Sequence, residues 1–235
     1  MKAAEGLLFD WAWPLFWLLA TLAAYYAAKA LYRRHPAPWS APLVLAPLAL
    51  LLLAAALHAR YADYLRGTHW LSAMLGPATV AFALPVYQQR ALIRKHWPLL
   101  CIGVAVGSSV AILSAWGMAT VLHLPEELRL SLAPRSITTP LAMDVSKMVG
   151  GVPGLTAVFV MLTGVCGAMF GQLMLRWLPL RSGLARGAMF GMAAHGMGVA
   201  KAREIGDEEG AIAGLVMVMA GMLNVFAGPL LIRLL

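Results

Sequence analysis

The sequence predicts an all-α polytopic membrane protein of about seven or eight membrane segments, some of them discontinuous or re-entrant. Three observations carry this. Hydrophobic residues fill 61% of the 235 positions. Charged residues fill only 12%, about half of the quarter usual in soluble domains and too few to solvate a globular surface. The apolar residues also fall into runs of about 20, the length of a helix that spans a bilayer.

The charge balance fits the same class. Eighteen basic against ten acidic residues leave a net charge of +8. In a soluble chain this would raise nucleic acid as a partner. Here the basic residues sit between apolar runs, as in loops obeying the positive-inside rule. The implied partner is the lipid bilayer, with no nucleic acid. One membrane domain over 1–235 is expected, with two amino-terminal spans in 1–68 and a core of broken helices in 69–235.

Leu7 to Leu31 is the first apolar run. It is too long for a signal peptide, Glu5 and Asp10 spoil a basic leader, and Lys29, Arg33 and Arg34 end it as a stop-transfer pattern that places the amino terminus outside. Ala41 to Leu57 is the second span. Trp70 to Tyr87 contains Gly76-Pro77 and Leu84-Pro85, and prolines that remove backbone donors predict a discontinuous helix. A second basic loop, Arg90, Arg94, Lys95 and His96, leads to the span Leu99 to Leu122, where Gly103 and Gly107 are spaced for close helix contact.

Leu130 to Gly154 is poor as a lipid-facing helix, because it holds Pro134, Arg135, Pro140, Asp144 and Lys147. Val152 to Trp177 is a clean span, followed by the basic loop with Arg176, Arg181 and Arg186. Gly183, Gly187 and Gly191 form a ridge for tight packing on a neighbour. The last span is Gly210 to Leu234. Simple crossing cannot put all three basic loops in the cytoplasm. Either Leu130 to Gly154 enters and leaves on one side, or the charge rule fails here. Leu75-Gly-Pro-Ala-Thr-Val80 also echoes Leu132-Ala-Pro-Arg-Ser-Ile137, as paired interrupted segments do in some transporters.

The strongest chemical constellation is Ala133 to Ser146. Arg135 stands among Ser136, Thr138 and Thr139, between two prolines. An arginine at bilayer depth is costly and must pair or face water. A helix starting near Pro140 would present free N–H groups and a positive dipole end, which suits an anion. The competing reading is that Arg135 pairs permanently with Asp144 and staples the bundle. His195, in a glycine-rich apolar setting, reads either as a packing residue or as a proton carrier or substrate ligand. Asp144 and His195 are the candidate proton-coupling groups. Thr79 and Gln88 are weaker candidates for the cavity wall. Lys201 and Glu204 read as a surface pair. Cys101 and Cys166 read as packing residues, and no spacing suggests a metal or other cofactor. No nucleophile elbow, P-loop or zincin motif appears, so no enzyme is expected.

Four stretches together resemble the LrgB/CidB family: Leu75 to Tyr87, Ser131 to Met143 with P-R-S-I-T-T-P, Gly150-Gly-Val-Pro-Gly-Leu-Thr-Ala157, and Ala185 to Ala202 around His195. Arg135 stands where that family usually has lysine. Ala194 and Val199 replace its usual hydroxyl residues near the histidine, and Lys201 its usual arginine. The resemblance implies a multi-pass protein of the cell (inner) membrane, a homodimer, and broken helices with elevator-like or rocking motion.

It also implies two functions. One is a secondary transporter of small monocarboxylates, of the glycolate, glycerate or pyruvate class. The other is an antiholin-like regulator of murein hydrolase activity and autolysis, acting with a smaller holin-like partner of the LrgA type. A buried cation among hydroxyls favours the transporter, with a small organic anion held by Arg135, Ser136, Thr138, Thr139, Thr79 and His195.

Overall fold

The structure is a computed structural model that describes residues 2–35, 40–81 and 83–234, without the side chains of 2–11, 78, 79, 85 and 86. The regular structure of the described residues is all helical, with no strand. They divide into two compact units, Met1–Pro77 and Ala78–Leu235.

The first unit holds α1 (Lys2–Arg34), α2 (Pro42–Ala56) and α3 (Tyr61–Ala73), and α1 packs on both of the others. Trp17 is its fully buried centre, edge-on to Tyr64 at 5.6 Å between ring centroids. Gly67 lets α3 lie directly on α1, since a methyl there would stand 2.6 Å from the Pro14 carbonyl oxygen.

The run from Trp70 to Tyr87 is divided, as its prolines predict. It falls on the end of α3, on α4 (Leu75–Ala81) and on α5 (Ala83–Gln88). The basic cluster after it is not a loop. Arg90, Arg94 and Lys95 form the first turns of α6 (Arg90–Val121), which kinks at His96 (φ −122°, ψ 19°), two residues before Pro98. Gly107 meets the Met192 side chain, whereas Gly103 meets nothing within 4 Å.

The second unit contains two chain reversals. α7 (Glu126–Leu132) leads into the non-helical stretch 133–138, and α8 (Thr139–Val149) returns along α9 (Pro153–Trp177). The levels are fixed by contacts. A methyl on Gly151, in the α8–α9 turn, would lie 2.9 Å from the Ser131 nitrogen, whereas Arg135 reaches Thr163, near the middle of α9. Three fully buried hydroxyls staple this reversal: Thr156 Oγ1 lies 2.9 Å from the Ser131 carbonyl and 2.7 Å from Ser146 Oγ. Gly150, with φ 94°, ends α8 in the left-handed conformation that favours glycine.

α10 (Gly183–Ile205) is not one rod. His195 has φ 41° and ψ −121°, and the helix folds back there. The return arm passes so close that a methyl on Gly198 would collide with the Phe190 carbonyl. The entry arm, 183–194, runs parallel to the start of α11 (Asp207–Arg233): a methyl on Gly187 would stand 2.6 Å from the Glu209 carbonyl, and one on Gly191 would meet the Ala213 carbonyl. The return arm runs antiparallel to α11, with Arg203 beside Gly210 and Val199 beside Gly214. The glycine ridge is therefore explained within one chain, Gly187 and Gly191 buried and Gly183 half-buried against the Glu208 carboxylate.

The reversals enter from opposite ends of the unit. α8 runs parallel to α11, with Leu141 by Gly221, Val145 by Gly228, and Arg233 Nη2 donating to the Met148 carbonyl at 3.5 Å. α6 runs the same way, with Val104 and Val216 lining one groove and, further along both helices, Asn224 donating to Ser108 Oγ at 2.8 Å. α9 runs against the α10 entry arm, with Gly171 on Phe190 and Gly167 on Ala193. Each reversal is thus followed by a long helix, α9 and then α11. The echo between 75–80 and 132–137 has no such counterpart, since the first lies in helix and the second in the non-helical tip.

Four described helices are long and apolar enough to cross a membrane: Ala12–Arg34, Arg90–Val121, Pro153–Trp177 and Asp207–Arg233, with Pro42–Ala56 shorter. The expected seven or eight are not reached on this criterion. The run at 70–87 is cut into short helices, 130–154 is split at its prolines, and α10 is broken at His195. The cysteines are free and exposed on α6 and α9, not packed inside as expected.

Candidate functional site

The two tips meet at the middle of α9. From the first comes Arg135, half-buried behind the fully buried Ala133 and Pro134. Its Nη1 donates to Thr163 Oγ1 at 3.4 Å. From the second comes His195, buried at 4% exposure, with its ring beside the Arg135 main chain and within electrostatic reach of its guanidinium. Gly164 and Gly167 on α9 make room for this tip, Gly164 lying against His195 Nδ1 and Met197 and Gly167 against Ala193. His195 Nε2 is buried and has no hydrogen-bond partner among the described residues. Such an atom costs roughly 1–3 kcal/mol when left unmatched, so it is a natural contact for a ligand.

α8 begins at the same tip. Thr138 is its amino-terminal cap residue but makes no side-chain cap bond, and Pro140 occupies the first turn. The free donors and positive dipole end of this turn therefore remain open beside Ser136, Thr138 and Thr139, all half-buried. The sequence-predicted residues are brought together only in part. Arg135, Ser136, Thr138, Thr139 and His195 share the tip region. Asp144 lies beyond the first turn of α8 and is exposed. Thr79 is within α4, but its side chain lies outside the described residues.

No ion pair joins Arg135 to Asp144 among the described residues, whose salt bridges are Arg186–Glu209 and Lys201–Glu204 at 2.6 and 2.8 Å. The second is the expected surface pair. The first was not anticipated: Arg186 donates through both Nε and Nη2 to Glu209 Oε1, tying the entry arm of α10 to the start of α11. Thr163, Gly164 and Gly167 were also missed. The spacing of Gly164, Gly167 and Gly171 on α9 was the available signal, but it marks close approach without naming what approaches.

Four helices long and apolar enough to cross a bilayer, in a chain this poor in charge, define a multi-pass membrane protein of the cell membrane. The LrgB-like family model matches residues 21–234, and the chain belongs to that family. It is 40% identical to YwbG of Bacillus subtilis (strain 168) over 215 residues, covering 92% of this chain and 96% of that protein. It is 37% identical to YxaC of the same strain, covering 92% and 94%. It is 28% identical to a Staphylococcus aureus (strain Mu50) protein named holin-like protein CidB, covering 96% and 98%. No solved structure gives a significant match.

Proposed function

We propose that this chain is a secondary transporter of small monocarboxylates, of the glycolate, glycerate or pyruvate class, with a single membrane domain and a homodimeric assembly. The observation that carries the reading is the meeting of two oppositely entering tips that hold Arg135 and His195 beside an open helix amino terminus. A guanidinium grips a carboxylate through two parallel hydrogen bonds. The hydroxyls of Ser136, Thr138, Thr139 and Thr163 then read the substrate's hydroxyl or keto oxygen, with Thr79 assigned to the opposite wall.

In this reading both reversals are re-entrant and the tips lie near mid-membrane. Irregular backbone is tolerated at that depth only when covered by protein or facing a watery cavity, and the tips are covered by α9. Re-entry also reconciles the charge pattern. Leu99 and Leu100 of α6 share one groove with Ser182 and Ala185, so the basic clusters at 90–95 and 176–186 belong to one end of the unit, which the positive-inside rule assigns to the cytoplasm. Alternating access would come from an elevator-like or rocking motion of the tips.

The test is uptake by purified protein in liposomes. Saturable, pH-dependent uptake of glycolate or pyruvate supports the carrier, and its absence for every small monocarboxylate tried sinks it. Thr163→Val removes the Arg135 acceptor, worth about 1 kcal/mol, and should raise KM several-fold with little change in melting temperature. For proton coupling, His195→Ala or Asp144→Asn should shift the pH profile of uptake. If both keep the parent profile, neither is the coupling group.

The second reading is an antiholin-like regulator of autolysis working with a holin-like, LrgA-type partner. It is favoured by the similarity to the holin-like protein CidB of Staphylococcus aureus, and membership of the LrgB-like family fits it at least as well. It predicts stable co-purification with such a partner and altered lysis on deletion, both insensitive to Arg135→Ala.

A further inference from the structure

An apolar groove of about 270 Å³ runs between α6 and the entry arm of α10. Leu99 and Gly103 line it from α6, and Ala185, Ala188 and Met192 from α10, with Ser182 at its mouth. Both helices run inward from the end that carries the basic clusters, since Leu99 and Ser182 share the mouth and Gly107 meets Met192 further in. From Ser182 to Met192 the groove is roughly 15 Å long at about 1.5 Å rise per residue, close to the hydrocarbon depth of one leaflet. Gly103 is the unexplained residue in it. Its spacing from Gly107 suits a close helix contact, yet a methyl placed there meets nothing within 4 Å, and the residue is exposed. The space in front of it is walled by apolar side chains and filled by none of them. Its lining forfeits dispersion contacts unless a ligand of matching chemistry enters.

The mouth carries charge of one sign. Lys95 stands one turn before Leu99, across the kink of α6, and Arg181 adjoins Ser182. Both are exposed and in no ion pair among the described residues. No acidic residue lies between Asp63 and Glu126 or between Asp144 and Glu204, so neither wall supplies a countercharge. The carboxylates that reach the start of α10, Glu208 and Glu209, lie against Gly183 and Arg186, on the side of the arm that meets α11. Trp97 on α6 and Trp177 at the end of α9 are 60% and 72% exposed at this same end. Exposed tryptophans gather where hydrocarbon meets headgroups. The groove therefore opens just below headgroup level, with two unpaired cations above an apolar slot.

We propose that this groove binds an anionic phospholipid, with one acyl chain lying over Gly103 and the phosphate held between Lys95 and Arg181. Basic pockets between membrane helices recognise anionic headgroups. The bound chain packs on Met192, one turn before His195, and so ties α6 to the arm that bears the second tip. The proposal is independent of the carrier reading. Native mass spectrometry of the purified full-length protein, given equal amounts of phosphatidylglycerol and phosphatidylcholine with the same chains, tests it. Bound phosphatidylglycerol should exceed phosphatidylcholine at least about fivefold. Lys95→Gln combined with Arg181→Gln should make the two lipids equal, whereas Lys147→Gln, an exposed cation at the opposite end, should leave the preference unchanged. Gly103→Leu fills the slot and should lower phosphatidylglycerol occupancy at least about fivefold, with the melting temperature in lipid-free detergent kept within about 2 °C. Should Gly103→Leu fail to fold, Gly103→Val must lower occupancy at least about twofold. Equal binding of the two lipids by the parent, a preference untouched by the double change or equally lost in Lys147→Gln, or full occupancy in Gly103→Leu overturns the proposal. Conversion of a dimer to a monomer by Gly103→Leu with lipid binding unchanged also overturns it, and makes the groove a contact with a second copy.

Discussion

Arg135→Ala is expected to reduce monocarboxylate uptake by at least about 100-fold, the equivalent of roughly 3 kcal/mol, while leaving the melting temperature within a few degrees of the parent. The split follows from the geometry. Arg135 is in no ion pair among the described residues, and its contact with Thr163 is long at 3.4 Å. Its removal therefore frees no buried countercharge. What is lost is the grip on the substrate carboxylate, a charge-assisted bond that a hydroxyl cannot replace. Arg135→Lys should keep part of the activity, since the point charge remains although the two-pronged grip is gone. The competing idea, that Arg135 staples Asp144, makes the opposite forecast. It requires Arg135→Ala to lower the melting temperature sharply, and addition of Asp144→Asn to restore both stability and uptake. Such a rescue would overturn the assignment.

Gly191→Val is expected to cause a large loss of stability. A methyl at Gly191 already meets the Ala213 carbonyl, and a methyl there would lie 2.9 Å from Ala213 Cα, so backbone rather than a flexible side chain must yield. Overpacking of this kind costs about 3 kcal/mol or more, or about 6–12 °C in melting temperature for a chain of this size. Gly196→Ala is the control. Nothing lies within 4 Å of a methyl at Gly196, so its melting temperature should stay within about 2 °C of the parent. Thermal unfolding of the solubilised protein compares the two. Equal stability of Gly191→Val and parent would mean that the ridge does not seat on α11.

Much of this was legible in the residues. The P-R-S-I-T-T-P stretch marks a broken segment with a cation in it, and the structure breaks there, between Leu132 and Thr139. The four-residue period of Gly183, Gly187 and Gly191 announces a close helix contact, although not its partner. Other features were misplaced for physical reasons. Arg90 to Lys95 look like a loop because they are charged, yet they are helical, since a charged turn before a kink costs nothing when it faces water. Asp144 looks like a natural partner for Arg135 because it is near in sequence, but the turn of α8 carries it to an exposed position.

By itself the sequence determined the class of protein: apolar runs too long and too poor in charge for a soluble domain, family motifs that span nearly the whole chain, and prolines at 134 and 140 that mark a break in the helix and the start of the next one. Composition and local backbone chemistry suffice for these, because they depend on what each residue can do alone. Only the tertiary structure decided that α10 folds back at His195, a residue whose type permits a positive φ but does not demand one. Only it brought Thr163 to Arg135 and Arg186 to Glu209, 28 and 23 residues apart in the chain. Those pairings depend on where two reversals end relative to one helix. That is set by packing of glycine surfaces across the unit, and no local pattern of residues encodes it.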